Sequence, residues 1–296
     1  ALLRRWLERN KGLQVQQGAV VVLDYRTGGI VAIAGGRDYR SSQFNRASMA
    51  LRQPGSTFKL MPYALALERG LTPGSSVSCA PLNWGGVHYG SDCHGGLSLT
   101  SALAVSSNTA ALRLSQRYGL EAVLQKARDL GIQTPLRAIP GLALGQSEVT
   151  LLELTSAYGA IANDGIWHAP RTIRRLSDAE RCHGLADARC RRAADQAPLL
   201  ANPGRKATSQ RTSEQLRGML QAVVRSGTGR AAYRGGGEGG KTGTTNDYRD
   251  LLFVGFDPQR HWVIGIWLGN DDNSPTQASS ALAAALWSEI IASAGG

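Results

Sequence analysis

No uninterrupted run of about 18 or more apolar residues occurs in the 296-residue chain, so no segment is suited to cross a bilayer as a helix. The N-terminus carries no export signal: Leu2, Leu3 and Trp6 are interrupted by Arg4 and Arg5 before an apolar core segment can form. Taken alone, these two absences predict a soluble cytoplasmic protein. Lysine is scarce, and the formal net charge of +11 comes mostly from arginine. The surplus favours anionic partners, whether lipid headgroups, cell-wall polymer or nucleic acid. Nucleic acid is the weakest of these, because no basic run is interleaved with aromatics and no zinc-finger or RNA-binding signature is present. No internal repeat occurs, which excludes a repeat architecture.

Cysteine is sparse but paired in sequence. Cys79 and Cys93 are close together, as are Cys182 and Cys190. Local pairing is the simplest of the three connectivities, and an oxidising compartment would make each pair a loop staple. Zinc is an alternative, since His88 and His94 flank Cys93 and His183 follows Cys182. Neither group has C-x-x-C or H-x-x-x-H spacing. Free buried thiols are a third reading.

A hydrophobic share of 42% suffices for a buried core in one large domain or two small ones. Residues 1–11 predict a short amphipathic helix with Leu2, Leu3, Trp6 and Leu7 on one face, within a linker over 1–16. It would pack on the domain or, less readily, lie on a membrane surface. β-branched runs at 19–23 and 30–34 around Asp24-Tyr25-Arg26-Thr27-Gly28-Gly29 predict a hairpin, and 251–256 with 262–268 predict another. Between them the period turns helical: Ser56–Arg69 (closed by Gly70), Thr100–Val105, Thr109–Tyr118, Glu121–Leu130, Leu151–Ile161, Ser213–Val224, and Ser280–Ala292 near the end. Residues 171–212 predict a long loop or small excursion, stapled if Cys182 and Cys190 pair. The glycine run 235–240 predicts either a flexible approach to an active-site edge or a surface linker. The expected fold is α+β: a central antiparallel sheet of about five strands built from both chain ends, flanked by helices, with a mostly helical insertion. The domain is expected over 17–296.

Three short strings carry the chemistry: Ser56-Thr57-Phe58-Lys59, Ser106-Ser107-Asn108 and Lys241-Thr242-Gly243-Thr244. A serine hydroxyl is a weak nucleophile until a neighbouring base takes its proton. Residues three apart share a helix face, so Lys59 can point its amine back at Ser56. The start of a helix also aims free N–H groups at developing negative charge. Burial and a second cation, Lys241, would lower the Lys59 pKa towards that of a working base. The plain alternatives are a helix N-cap for Ser56, an exposed lysine for Lys59, and a turn for Ser106-Ser107-Asn108.

In this order and spacing the three strings resemble the motifs of penicillin-binding proteins and class A β-lactamases. The likeness extends to the runs 35–39, 42–47, 52–56, 142–150, 226–229, 245–250 and 267–272, and covers about residues 17–290. They look like the transpeptidase domain of class A penicillin-binding proteins, although Leu60 follows Lys59 where that family frequently has proline. The resemblance implies a DD-transpeptidase that cross-links peptidoglycan stem peptides ending in D-Ala-D-Ala and is acylated by β-lactams. It implies Ser56 as nucleophile, with Lys59, Ser106 and Lys241 moving protons. Asn108, Thr242, Gly243 and Thr244 would bind substrate, and the Ser56 and Thr244 N–H groups would form an oxyanion hole. No metal or organic cofactor is implied. An upstream membrane helix and glycosyltransferase domain are expected in the parent chain, placing the domain at the outer face of the cytoplasmic membrane. Rival readings on the same scaffold are a DD-carboxypeptidase or a β-lactamase, and outside catalysis a β-lactam sensor or silent wall-binding module. A β-lactamase would need a glutamate to activate water. Glu148 and Glu153 lie on the right stretch of chain, but in a context closer to the transpeptidases.

Overall fold

A computed structural model describes residues 1–91, 93, 95–175 and 200–294. The two terminal hairpins meet in one antiparallel sheet of five strands, ordered β2-β1-β11-β10-β9. These strands are β1 (Gln17–Asp24), β2 (Gly29–Ala34), β9 (Gly239–Thr244), β10 (Asp250–Asp257) and β11 (Trp262–Gly269). Successive side chains of a strand face opposite ways. Accordingly Val21, Leu23, Leu252, Val254 and Phe256 join one core, while Val20, Val22, Leu251, Phe253, Ile264 and Ile266 join the other. Because both faces are covered, β1, β10 and β11 read as near-continuous apolar runs rather than alternating ones, whereas the edge strand β2 leaves Val31 and Ile33 exposed.

One face carries the helical insertion: α2 (Leu60–Glu68), α3 (Leu99–Ala104), α4 (Asn108–Tyr118), α5 (Leu120–Asp129), α6 (Leu151–Ala162) and α7 (Gln210–Ser226). The other face is closed by α1 (Leu2–Arg9) and α8 (Ala281–Ser293). Leu3, Trp6 and Leu7 of α1 are buried there, so the apolar stripe expected near the N-terminus is used inside the domain. Every residue of α2 from Leu60 to Leu67 is buried, which makes it the central helix. Pro62 falls in its first turn, where a missing N–H costs nothing.

Short strands complete the insertion: β3 (Ser76–Ser78) with β6 (Gly96–Ser98), β4 (Leu82–Trp84) with β5 (Val87–Tyr89), and β7 (Ile166–Trp167) with β8 (Arg205–Lys206). The expected loop over 171–212 is therefore partly regular. It contributes β8, and α7 begins at Gln210 under a Ser209 side-chain cap, three residues before the predicted start. Cys182, His183 and Cys190 lie outside the described residues, as does His94. The glycine run is an ordered turn: the buried Glu238 carboxylate accepts N–H bonds from Arg234, Gly235 and Gly236, and Gly239 and Gly240 already belong to β9.

Cys79 and Cys93 form a disulfide, Sγ–Sγ 2.15 Å. It closes a loop 14 residues apart in sequence, and the Ser107 hydroxyl lies 3.9 Å from the Cys79 sulfur. A cross-link over a loop of this size stabilises by about 3 kcal/mol through the unfolded chain's lost entropy. The Cys79→Ser/Cys93→Ser pair of changes is expected to lower unfolding free energy by about that amount in denaturant titration.

Candidate active site

Three glycines bring the serine turn and the sheet edge together. Residues Gly55–Lys59 form a 3-10 turn leading into α2, rather than the first turn of a continuous α-helix. Gly55 has φ +53°, and a Cβ there would lie 2.9 Å from the Thr244 carbonyl oxygen. A Cβ on Gly145 would strike the Gly55 backbone, and one on Gly243 would meet the Pro54 carbonyl oxygen at 2.5 Å. The close backbone neighbour of Gly243 is thus the chain's own serine turn. Two further bonds pin that turn: Tyr158 of α6 donates to the Thr57 carbonyl at 2.7 Å, and the Thr57 hydroxyl to the Pro54 carbonyl at 2.6 Å. Tyr158 is fully buried, and burial holds its phenol well above the usual range, so it remains a donor. Tyr158→Phe would remove one of two donors from the Thr57 carbonyl, which keeps the Leu60 N–H. A loss of about 1 kcal/mol is expected in thermal unfolding, with a looser serine turn.

Ser56 is half-buried and opens on a cleft of about 130 Å³ lined also by Gln53, Gly55, Asn108, Leu144, Gln146, Thr244, Thr245 and Asn246. Behind it stand two lysines, both fully buried. The Lys59 amine donates to the Ser106 carbonyl (2.5 Å), the Ser106 hydroxyl (3.2 Å) and the Asn108 side-chain oxygen (2.7 Å). The Lys241 amine reaches the same Ser106 hydroxyl at 2.9 Å and the Thr242 carbonyl at 3.2 Å. One hydroxyl therefore bridges two amines. Burial, and then the charge of Lys59, hold the Lys241 amine well below the usual lysine pKa. Three acceptors around Lys59 suit an ammonium, which has three donors and no acceptor. The direct Ser56–Lys59 hydrogen bond expected from helical spacing is not formed among the described residues. The lysine instead reaches across to the Ser106–Asn108 turn.

That turn is held in a costly shape. Ser106 has φ +62°, a left-handed conformation that non-glycine residues rarely adopt. Its carbonyl and hydroxyl both contact lysine amines, which compensates for backbone strain of about 1–3 kcal/mol. Ser107 then caps α4 by accepting the Ala110 N–H, and Asn108 opens that helix.

On β9, Lys241 points behind the cleft, and Thr244 lines it. Thr242 is buried, its hydroxyl 2.6 Å from that of Thr228. Sequence reasoning gave Thr228 no role, although the run Ser226-Gly227-Thr228-Gly229 was among those carrying the resemblance. Tyr158 and Gly145 were likewise missed, because their contribution is a contact between distant elements. Glu153 is spoken for: although burial raises its pKa, hydrogen bonds from the Thr134 hydroxyl and the Thr150, Gln133 and Thr134 N–H groups outweigh this and hold the carboxylate ionised. It also completes the capping box of α6. Neither Glu153 nor Glu148 lines the serine cleft. A larger cavity of about 610 Å³ adjoins that cleft, sharing Gln53, Thr245 and Asn246 with it. Ser56 lines the smaller space and both lysines stand behind it, so chemistry rather than size makes it the candidate active site.

An accessible serine at the head of a buried helix, with two lysines bridged by a second serine, is an arrangement that can carry acyl transfer through a serine. The sequence profile of the penicillin-binding protein transpeptidase domain matches residues 18–292, and the chain belongs to that family. It is 38% identical over 265 residues to penicillin-binding protein 1A of Aquifex aeolicus, covering 86% of this chain and 34% of the relative. Penicillin-binding protein 1A of Neisseria gonorrhoeae is 36% identical over 269 residues, covering 86% of this chain and 32% of the relative. The chain therefore spans about a third of the length of these curated relatives. The crystal structure of penicillin-binding protein 1A from Haemophilus influenzae superposes with TM-score 0.78 at 25% identity, over 94% of this chain and 47% of that one. The PonA1 protein of Mycobacterium tuberculosis, solved in complex with penicillin V, shares the fold with TM-score 0.80 at 24% identity, over 99% and 83% of the two chains. No helix among the described residues is long and apolar enough to cross a membrane.

Proposed function

We propose that this domain is a peptidoglycan DD-transpeptidase working through a Ser56 ester on stem peptides ending in D-Ala-D-Ala. The observation that carries the reading is the Ser106 hydroxyl bridging the Lys59 and Lys241 amines beside Ser56. One proton shared over two amines can leave Lys59 neutral when Ser56 must be deprotonated, and can later be handed on through Ser106. Ser56 Oγ attacks the carbonyl of the penultimate D-Ala, and its proton passes to Lys59. The Ser56 and Thr244 N–H groups receive the oxyanion. The C–N bond then breaks, the nitrogen of the terminal D-Ala takes the proton through Ser106, and an ester remains on Ser56. A neighbouring stem-peptide amine attacks that ester, forms the new amide and returns the proton to Ser56. Lys241 with the hydroxyls of Thr244, Thr242 and Thr228 forms the receptor for the terminal carboxylate, Asn108 orients the peptide, and Gly243 keeps the serine turn seated on β9. No cofactor enters these steps.

A class A-type β-lactamase is disfavoured because Glu153 is committed to the 133–134 turn and the α6 cap. The test is incubation with a peptide ending in D-Ala-D-Ala and an acceptor amine, followed by mass spectrometry. A cross-linked product with D-Ala release supports the reading, and the free acid alone indicates a carboxypeptidase. No D-Ala release from any peptide by protein that penicillin still labels would point to a sensor or wall-binding module. We further propose that residues 17–296 are the catalytic unit and 1–16 its lead-in. It would work at the outer face of the cytoplasmic membrane, anchored by an upstream segment of about 20 apolar residues with a glycosyltransferase domain between. The length of the curated relatives leaves room for both. Sequencing the parent reading frame tests this, and a cytosolic protein starting at Ala1 would overturn it.

A further inference from the structure

Asp250, the first residue of β10, is buried and takes no part in the steps above. Its two carboxylate oxygens serve different walls of the serine cleft. Oδ1 accepts the Trp267 indole N–H at 2.8 Å and lies 3.6 Å from the Arg52 guanidinium. Oδ2 accepts the Thr245 hydroxyl at 3.1 Å, and that hydroxyl in turn accepts the Asp250 N–H at 2.9 Å. Arg52 stands four residues before Ser56, and Thr245 directly follows Thr244. The carboxylate therefore ties the run leading into the nucleophile to the end of β9.

Each arm of this clamp is held in turn. The Arg52 backbone exchanges two hydrogen bonds with Val149, and its guanidinium donates to the Asn270 carbonyl at 3.1 Å while lying 4.7 Å over the Trp267 ring. On the other arm, Thr245 and Asp250 close a turn in which Asp247 and Tyr248 both hold left-handed backbone, φ +58° and +55°. Such conformations persist only where the surroundings over-determine them. Between the arms, Gly55 rests against the Thr244 backbone. That contact keeps the walls from closing further but draws them together only weakly. A carboxylate shared by a guanidinium, an indole N–H and a hydroxyl supplies the stronger, directional pull.

We propose that Asp250 is a positioning residue that sets the separation of the Ser56 and Thr244 N–H groups. The inference rests on the acyl-enzyme reading, in which those two donors receive the oxyanion. Asp250 itself touches no reacting atom. Donors that must already point at the developing charge lose much of their effect when displaced by about 1 Å.

Asp250→Asn tests this, because a carboxamide keeps the size but has a single oxygen. Whichever way it turns, its NH2 group faces a donor. Acylation by benzylpenicillin, followed by intact-protein mass spectrometry over a range of concentrations, separates the limiting rate from the dissociation constant of the reversible complex. The limiting rate is expected to fall about 10²-fold, with the dissociation constant almost unchanged. Hydrolysis of the penicilloyl ester should slow alongside it, since both steps pass through an oxyanion. Thr245→Val, which releases one arm, should show the same split with a smaller fall, and Thr245→Ser, which keeps the hydroxyl, should restore the rate. Circular dichroism and melting curves establish that the variants are folded, and if Asp250→Asn is not, the Thr245 pair decides. An unchanged limiting rate in either folded variant overturns the positioning role. So does a loss shared equally with reversible binding, or a Thr245→Ser rate as low as that of Thr245→Val. Each of these leaves the acyl-enzyme reading standing. A wild type that forms no adduct on Ser56 overturns that reading, and the positioning role with it.

Discussion

Ser56→Ala is expected to abolish covalent labelling by penicillin while leaving the melting temperature close to that of the wild type. The side chain loses only its hydroxyl, and that hydroxyl makes no hydrogen bond among the described residues, so no partner is stranded. The backbone is fixed by other contacts: Gly55 against Thr244, and Tyr158 on the Thr57 carbonyl. Loss of the nucleophile in serine acyl-transfer enzymes costs on the order of 10⁶-fold in rate, which places residual acylation below detection. Nearby hydroxyls cannot substitute. Thr57 is buried and spends its proton on the Pro54 carbonyl, and Ser106 lies between the two amines. Intact-protein mass spectrometry checks this, and an adduct on the variant at the wild-type rate would remove Ser56 from the mechanism.

The parts of this site that were legible in the sequence are those written in short strings. Ser56 with Lys59, Ser106 with Asn108, and the Lys241 strand announced themselves by residue type and order, and the structure gathers them around one cleft. Four strands of the sheet were legible for the same reason: β1, β2, β10 and β11 are apolar runs flanked by turn residues at both chain ends. Helices between Thr100 and Leu130 fell within a residue or so of their observed limits because their apolar period is unbroken. What stayed hidden depends on contacts between distant segments. Nothing local distinguishes Thr228 as the partner of Thr242, or Tyr158 as the donor to Thr57. The stacking of Gly145, Gly55 and Gly243 arises only when three separate segments converge. The reach of Lys59 was misjudged because helical spacing shows which face a side chain occupies, not which acceptors compete for it. Here the left-handed Ser106 presents its carbonyl and hydroxyl to the amine, and Asn108 adds a third oxygen.

The two lysines are expected to separate cleanly when each is replaced. Lys59→Ala should slow acylation by several orders of magnitude with little effect on reversible capture of the ligand, because in the proposed mechanism the amine that takes the Ser56 proton is gone. Lys241→Ala should weaken recognition of the substrate carboxylate as well, raising KM while lowering kcat, and Thr244→Val should follow the same pattern. The pH dependence sharpens the distinction. Burial and the neighbouring Lys59 hold the Lys241 amine below its ordinary value of 10.5, so it gives up its proton at a pH where a free lysine stays charged. Acylation is therefore expected to rise with pH along a limb whose midpoint lies below that of a free lysine. Lys241→Arg keeps a positive charge at every accessible pH, so that limb should vanish and the rate should fall by several orders of magnitude. Stability follows the same sign. Between the folded and unfolded pKa values of Lys241 the unfolded chain binds more protons, so unfolding free energy rises with pH across that window and levels off above it. Removing Lys59 takes away the second cause of the depression, so in Lys59→Ala the window should narrow from its lower edge. Urea titrations across pH measure it. An unchanged window in Lys59→Ala would mean that burial alone sets the Lys241 charge, and that the two amines do not share a proton through Ser106.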